Sequence, residues 1–289
     1  MKRIMVATDF SNAAFDAAVL AARVARRHGA TMLLFHAQAV AEPNTMSSDG
    51  PELKAALAES EHLLSELKKR ITDAVPVGLT IETVAHLGEP ADAIVHEAAT
   101  WNAHLLAMGS LGAGGATQHP EFGSVAAAVS RRAHCPVLVS RLDQPLTVPD
   151  DGAFTKPTVV IDDAAFAHEA VAAAAQLAEP ESTIEVVHAA VGGTNDPGTL
   201  ARMRSEDLQK IAELAPRVEE TAIGLTVTAG PSRFLDQLLD FVGTSSDLVV
   251  VGAAPPEAGG VLGPIADKML QRSPVPVAVI PRPALAKPS

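Results

Sequence analysis

At 289 residues the chain is about twice the length of a typical domain, so two domains are expected. Apolar residues reach 47% but aromatics only 3%, so the cores must be built from Ala, Val, Leu and Ile, which suits helices packed close to a sheet. A net charge of −12 argues against nonspecific nucleic-acid binding and against docking on an anionic membrane, both of which need clustered Lys and Arg.

The first apolar run, Ile4 to Thr8, ends at Asp9 and reads as a buried parallel strand. Ser11 or Asn12 can cap the Ala-rich helix over 13–27, and Arg26, Arg27, His28 and Gly29 mark its end. Thr31 to His36 is the second strand, 39–50 a loop, and 51–74 a helix carrying Leu53, Leu57, Leu64, Leu67 and Ile71. Residues 79–86 alternate as a strand, and Gly88-Glu89-Pro90 opens a helix with Pro90 at its first position. Leu105 to Met108 is a fourth strand ending at Gly109. A Gly-rich loop then leads to a helix from about Gly123, and Pro136 to Val139 is a fifth strand.

The same succession returns further on. It begins with a strand over 158–161 ending at Asp162, an Ala-rich helix over 164–178 and a strand over 184–188. After a loop at 192–198 come a helix over 199–219, a strand over 222–228 and a helix from Gly230-Pro231. A strand over 248–251 ending at Gly252, a Gly/Pro loop, a short helix and a strand over 275–279 complete it. The landmarks pair as Asp9 with Asp162, Gly88 with Gly230, Gly109 with Gly252 and Pro136 with Pro276. A repeat of this length means duplicated domains, here 1–142 and 156–282, joined by a Pro-, Asp- and Gly-rich linker over 143–155. Alternating strands and helices imply two tandem α/β domains, each an open, Rossmann-like parallel sheet of five strands with helices on both faces. Ligands of such sheets lie beyond the carboxyl ends of the strands, where the strand order reverses. If the first and fourth strands are neighbours, Asp9 and Gly109 face one crevice.

The loop after the fourth strand, Gly109-Ser110-Leu111-Gly112-Ala113-Gly114-Gly115, has the composition for close approach of an anion and for positive φ. The helix beginning near Gly123-Ser124 would point unpaired N–H groups at the same place. The Ser124 hydroxyl could add a hydrogen bond, and Asp9 could accept from a ribose hydroxyl or a base amine. The plain structural alternative is a tight strand-to-helix connection with a capped helix.

Other features are quieter. The ten histidines contain no His-Glu-x-x-His pattern, and no metal site is expected. His36 and His188 end equivalent strands and read as packing or polar-tip residues, while His119 lies in the Gly-rich loop. Cys135 precedes a core strand and reads as a buried, inert thiol; as the one cysteine it permits no intrachain disulfide. No signal segment opens the chain, because Asp9 interrupts the apolar run, and no apolar stretch reaches the ~20 residues that span a bilayer. A cytoplasmic location is the expectation.

Val6-Ala7-Thr8-Asp9-Phe10-Ser11, Gly88-Glu89-Pro90-Ala91, Met108-Gly109-Ser110-Leu111-Gly112, Gly123-Ser124-Val125 and Cys135-Pro136-Val137 together resemble the universal stress protein domain. The resemblance covers the first half from strand one to strand five and is weaker in the second half. Nucleotide-binding members of that family hold ATP through glycine, two residues, glycine, nine residues, then glycine with Ser or Thr. The resemblance places these at Gly109, Gly112, Gly123 and Ser124, with Val125 following. It places base and ribose contacts on Ala7, Thr8, Asp9, Ala37 and Met108. The chain departs from the pattern by one residue, since ten residues, Ala113 to Phe122, separate Gly112 from Gly123, and Pro120 and Glu121 lie among them. In the second half Pro255 and Pro256 stand where phosphate would need donors, and Gly263 is followed by Pro264, so no ATP site is expected there.

The resemblance thus implies a stress-response protein binding ATP or another adenine nucleotide, with or without Mg²⁺, in the first domain. No catalytic residue is singled out: nothing stands out as a general base, and no Lys or Arg lies in the first loop, so at most weak ATP hydrolysis is expected. Family members pair through the edge near the last strand, which implies an intramolecular pseudo-dimer through Val137-Leu138-Val139 and Val277-Ala278-Val279, or a homodimer. Unnamed protein partners belong to the same expectation. The alternative is a module that binds no nucleotide and works through protein contacts or another small ligand, for which the extra residue and Glu121 speak. An adenylating ligase would require Ser-Gly-Gly after the first strand, where this chain reads Asp9-Phe10-Ser11-Asn12.

Overall fold

The computed structural model describes residues 1–39, 50–76, 78–112, 122–141, 152–161, 166–180, 182–188, 222–225, 234–253 and 262–282. Residues 1–146 form one compact unit and 153–289 a second, with the division falling within 147–152.

The first unit runs β1 (Arg3–Ala7), α1 (Asn12–His28), β2 (Thr31–Gln38), α2 (Pro51–Ala74), β3 (Thr80–Leu87), α3 (Pro90–Thr100), β4 (Leu105–Gly109), α4 (Ser124–Arg132) and β5 (Val137–Ser140). Its strands lie in the order β3-β2-β1-β4-β5, all parallel. Ile4, Met5 and Val6 are fully buried, as a central strand covered on both faces requires. β1 pairs with β2 on one side and β4 on the other, with Ala7 opposite Phe35 and Met108. The connections leave β1 in opposite directions here, and the crevice opens between its tip and that of β4.

Local chemistry sets the helix ends. The Ser11 hydroxyl accepts the Ala14 N–H and caps α1. Gly29 ends it in the left-handed region at φ 57°, after Arg26, Arg27 and His28. Seven of the ten buried residues of α1 are Ala, which lets the helix approach the sheet closely. On α2 only Ser60, Leu64, Leu67 and Ile71 are buried; Leu53 and Leu57 are half-buried. β2 continues two residues beyond its expected end, because its ladder with β3 runs on to Gln38 opposite Leu87.

The second unit repeats the plan with β6 (Pro157–Ile161), α5 (Ala167–Leu177), β7 (Thr183–His188), β8 (Ala222–Leu225), α6 (Phe234–Ser245), β9 (Leu248–Gly252), α7 (Pro264–Arg272) and β10 (Val277–Ile280). Its parallel order is β8-β7-β6-β9-β10, the same succession as in the first unit. Asp162, the 192–198 loop, the helix expected over 199–219, Gly230-Pro231 and Pro255-Pro256 lie outside the described residues.

Residues 153–155, expected within a linker, are built into the second unit. Phe154 is fully buried and exchanges backbone hydrogen bonds with Leu177 and Glu179 at 3.0 and 2.8 Å. The Asp247 carboxylate accepts from the Thr155 N–H (2.6 Å), the Thr155 hydroxyl (2.9 Å) and the Lys156 N–H (2.9 Å). No helix among the described residues is long and apolar enough to cross a membrane. Cys135 is buried, and loss of solvation pushes its thiol up to about 12.

Candidate functional site

The tip of β1 is held by its own polar groups. The Thr8 N–H continues the ladder to the Phe35 carbonyl at 2.9 Å. The Thr8 hydroxyl accepts the Phe10 N–H at 3.0 Å, and Asp9 Oδ1 accepts the Ser11 N–H at 3.1 Å. This winding puts Phe10 at φ 65°, a rare conformation for a bulky side chain and the kind of local strain that concentrates beside binding sites. The Phe10 ring lies 4.5 Å, centroid to centroid, from His36. His36 Nδ1 is 2.7 Å from the Thr8 carbonyl oxygen. A carbonyl only accepts, so Nδ1 donates there, and Nε2 lies 3.4 Å from Gln38 Oε1.

At the tip of β4 the Ser110 N–H donates to the Ser140 carbonyl at 2.8 Å, and the Gly123 N–H donates to the Ser110 carbonyl at 2.8 Å. That bond brings the start of α4 back over β4. Gly123 is the N-cap of α4 and offers no side-chain cap; the first turn holds no acidic residue. The Ala127 N–H is the first to find an intrahelical acceptor, Gly123 O, so the N–H groups of Ser124, Val125 and Ala126 have none. They carry the positive end of the helix dipole.

Between these two tips lies a cavity of ≈ 400 Å³, within the usual range for small-molecule sites. Ala7, Thr8, Asp9, Ala37, Met108, Gly109, Gly112, Gly123, Ser124 and Val125, all ten residues singled out in the sequence, line it. So do Ala14, His36, Ile94, Ser110, Leu111 and Ala126, which the sequence reading did not place there. His36 reads in the sequence as a packing or polar-tip residue. Its signal was its position at the end of β2, next to Ala37, but only the bond to Thr8 orients it. Ser110 stood within the Gly-rich block, yet nothing in the sequence says that its hydroxyl is buried without a partner. The remaining loop residues, His119, Pro120 and Glu121 among them, lie outside the described residues.

The positive φ expected of the loop glycines is not found at the three that the structure describes. Gly109, Gly112 and Gly123 are not among the positive-φ residues. Each is crowded instead. A Cβ at Gly109 would lie 2.9 Å from the Ala13 carbonyl carbon, and one at Gly123 would lie 2.9 Å from the Ser110 carbonyl oxygen. A Cβ at Gly112 would lie 2.6 Å from Asp9 Oδ2. Close approach of the chain to itself therefore already requires Gly109 and Gly123, while at Gly112 the neighbour is the end of a side chain.

The corresponding place in the second unit is filled. The Phe166 ring lies over Gly252, where a Cβ would be 2.6 Å from Cε1, and the Arg282 guanidinium stacks on that ring at 4.8 Å. Among the described residues a cavity of only ≈ 10 Å³ is left there, beside Gly252, Gly263 and Ile265. Pro264 opens α7 without an N–H to offer.

Residues 1–141 match the family model described as the Universal stress protein family. A universal stress protein of Methanocaldococcus jannaschii is 33% identical over 141 residues, 48% of this chain and 81% of the relative. Among solved structures, a universal stress protein from Archaeoglobus fulgidus DSM 4304 aligns with TM-score 0.68 at 20% identity, covering 97% of this chain and 96% of its own. A universal stress protein in complex with cAMP is 25% identical over 48% of this chain and 95% of its own, with TM-score 0.39.

Proposed function

This chain belongs to the universal stress protein family, and we propose that its first unit binds an adenine nucleotide as a switch or partner-binding module. The observation that carries the reading is the polarity of the cavity. The Asp9 carboxylate offers an acceptor on the β1 side, and the start of α4 offers N–H donors on the other. Ala7, Ala37 and Met108 give apolar walls for a flat base, whose amino group and ribose hydroxyls are donors. A phosphate then falls at the α4 N-terminus. Among the described residues no Lys or Arg lines the cavity to stabilise charge developing on a transferred phosphoryl group, so the reading is of binding, with slow hydrolysis at most.

Among the described residues no group of three His, Cys, Asp or Glu could hold a metal ion. A Mg²⁺ would therefore arrive on the phosphates, with Asp9 the carboxylate lining the described cavity. The second unit, closed by Phe166, takes no nucleotide in this reading.

Calorimetric titration of ATP with Mg²⁺ into nucleotide-free protein tests it. Asp9→Asn keeps an acceptor for the Ser11 N–H but removes the charge, and should weaken binding about tenfold, the cost of one charged hydrogen bond. Ser124→Glu puts a carboxylate at the helix start, which suits the helix and repels phosphate, and should abolish binding with the fold intact. No heat of binding in the unaltered protein, or full affinity in Ser124→Glu, would overturn the reading.

A further inference from the structure

Among the described residues the phosphate end of the cavity carries no positive side chain, and its donors suit one phosphate group. We propose that the site selects a nucleotide of low phosphate charge, a nucleoside monophosphate, and admits a triphosphate only when a divalent cation travels with it; this rests on the nucleotide reading above.

Charge is the first argument. Residues 1–141 contain twelve Lys and Arg, all within the described residues, and none lines the cavity. Arg131 and Arg132 stand at the far end of α4 from it. The two segments of this unit next to cavity-lining residues but outside the described ones, 40–49 and 113–121, contain no Lys or Arg either; their charged residues are Glu42, Asp49 and Glu121. Asp9 adds a carboxylate to the cavity wall. Among the described residues the positive potential therefore comes from the α4 N-terminus, equivalent to roughly half a charge. Each further phosphate brings negative charge without a side-chain partner among the described residues and is repelled by the Asp9 carboxylate.

The second argument is a hydroxyl. Ser110 lines the cavity, is 1% exposed, and its Oγ has no hydrogen-bond partner. Its carbonyl receives the Gly123 N–H, so the residue abuts the α4 N-cap. A buried hydroxyl without a partner carries the full loss of its hydration. A phosphate oxygen at the start of α4 would accept from it. One hydroxyl and the first N–H groups of one helix match the oxygens of a single phosphate.

The test titrates adenosine, AMP, ADP and ATP into the full chain by calorimetry, in EDTA and then in Mg²⁺. In EDTA, AMP should bind more tightly than adenosine, and ATP about tenfold or more weakly than AMP, as uncompensated like charges require. Mg²⁺ should restore ATP and leave AMP unchanged. Ser110→Ala, which removes a hydroxyl that makes no bond in the fold, should weaken AMP and spare adenosine. ATP equal to or tighter than AMP in EDTA would overturn the charge selection while leaving nucleotide binding standing. Unchanged AMP affinity in Ser110→Ala would overturn the role of the hydroxyl. Failure of all four ligands in both buffers would remove the nucleotide reading itself, and this proposal with it.

Discussion

Gly109 and Gly112 look alike in the sequence and differ in what crowds them. The atoms nearest a Cβ at Gly109 belong to the backbone and Cβ of Ala13 and to the backbone of Ala14 at the start of α1, none of which can swing aside. Gly109→Ala should therefore cost about 1–3 kcal/mol of stability, the usual penalty for overpacking. At Gly112 the obstacle is the tip of the Asp9 side chain, which can rotate. Gly112→Ala should leave stability within about 0.5 kcal/mol and weaken nucleotide binding by displacing Asp9. Urea denaturation and nucleotide titration of both variants separate the two effects. Equal losses of stability would mean that Asp9 is held too firmly to move.

At the scale of elements, the two units treat the turn between first strand and first helix differently. In the first, Ser11 caps α1, and the small Ala13 and Ala14 lie against Gly109, leaving the crevice open. In the second, Phe166 precedes α5 and lays its ring over Gly252. Phe166→Ala should cost about 3–5 kcal/mol as a large-to-small change at a buried site. Denaturant unfolding reads this, and a loss under about 1 kcal/mol would mean that neighbours collapse into the gap. The strands were legible because Ile4 to Ala7, Leu105 to Met108 and Leu248 to Val251 are unbroken apolar runs bounded by Asp or Gly, the mark of strands buried on both faces. The end of β2 was not, since Ala37 and Gln38 are held by pairing with β3 rather than by their own pattern. Nor was the anchoring of Thr155 and Lys156, because Asp247 lies 92 and 91 residues away in sequence. The glycine spacing draws attention to residues that line the cavity, and for Gly109 and Gly123 close packing of the chain against itself is sufficient to require a glycine.

Across the whole molecule, the described residues duplicate the fold without a second cavity of the same size. Both units share one strand order, yet the described residues enclose ≈ 400 Å³ in the first and ≈ 10 Å³ in the second. A chain with net charge −12 gives an anionic ligand no long-range attraction, so binding must come from local geometry. The proposed place of the nucleotide is the cavity of the first unit. Photolabelling of the full chain with an 8-azidoadenine nucleotide and Mg²⁺, followed by mapping of the labelled peptides, addresses it most directly. Label confined to residues 1–141, close to the tips of β1, β2 or β4 and suppressed by excess unmodified nucleotide, is the expected result. Competable label within residues 152–282, or none at all, would contradict it.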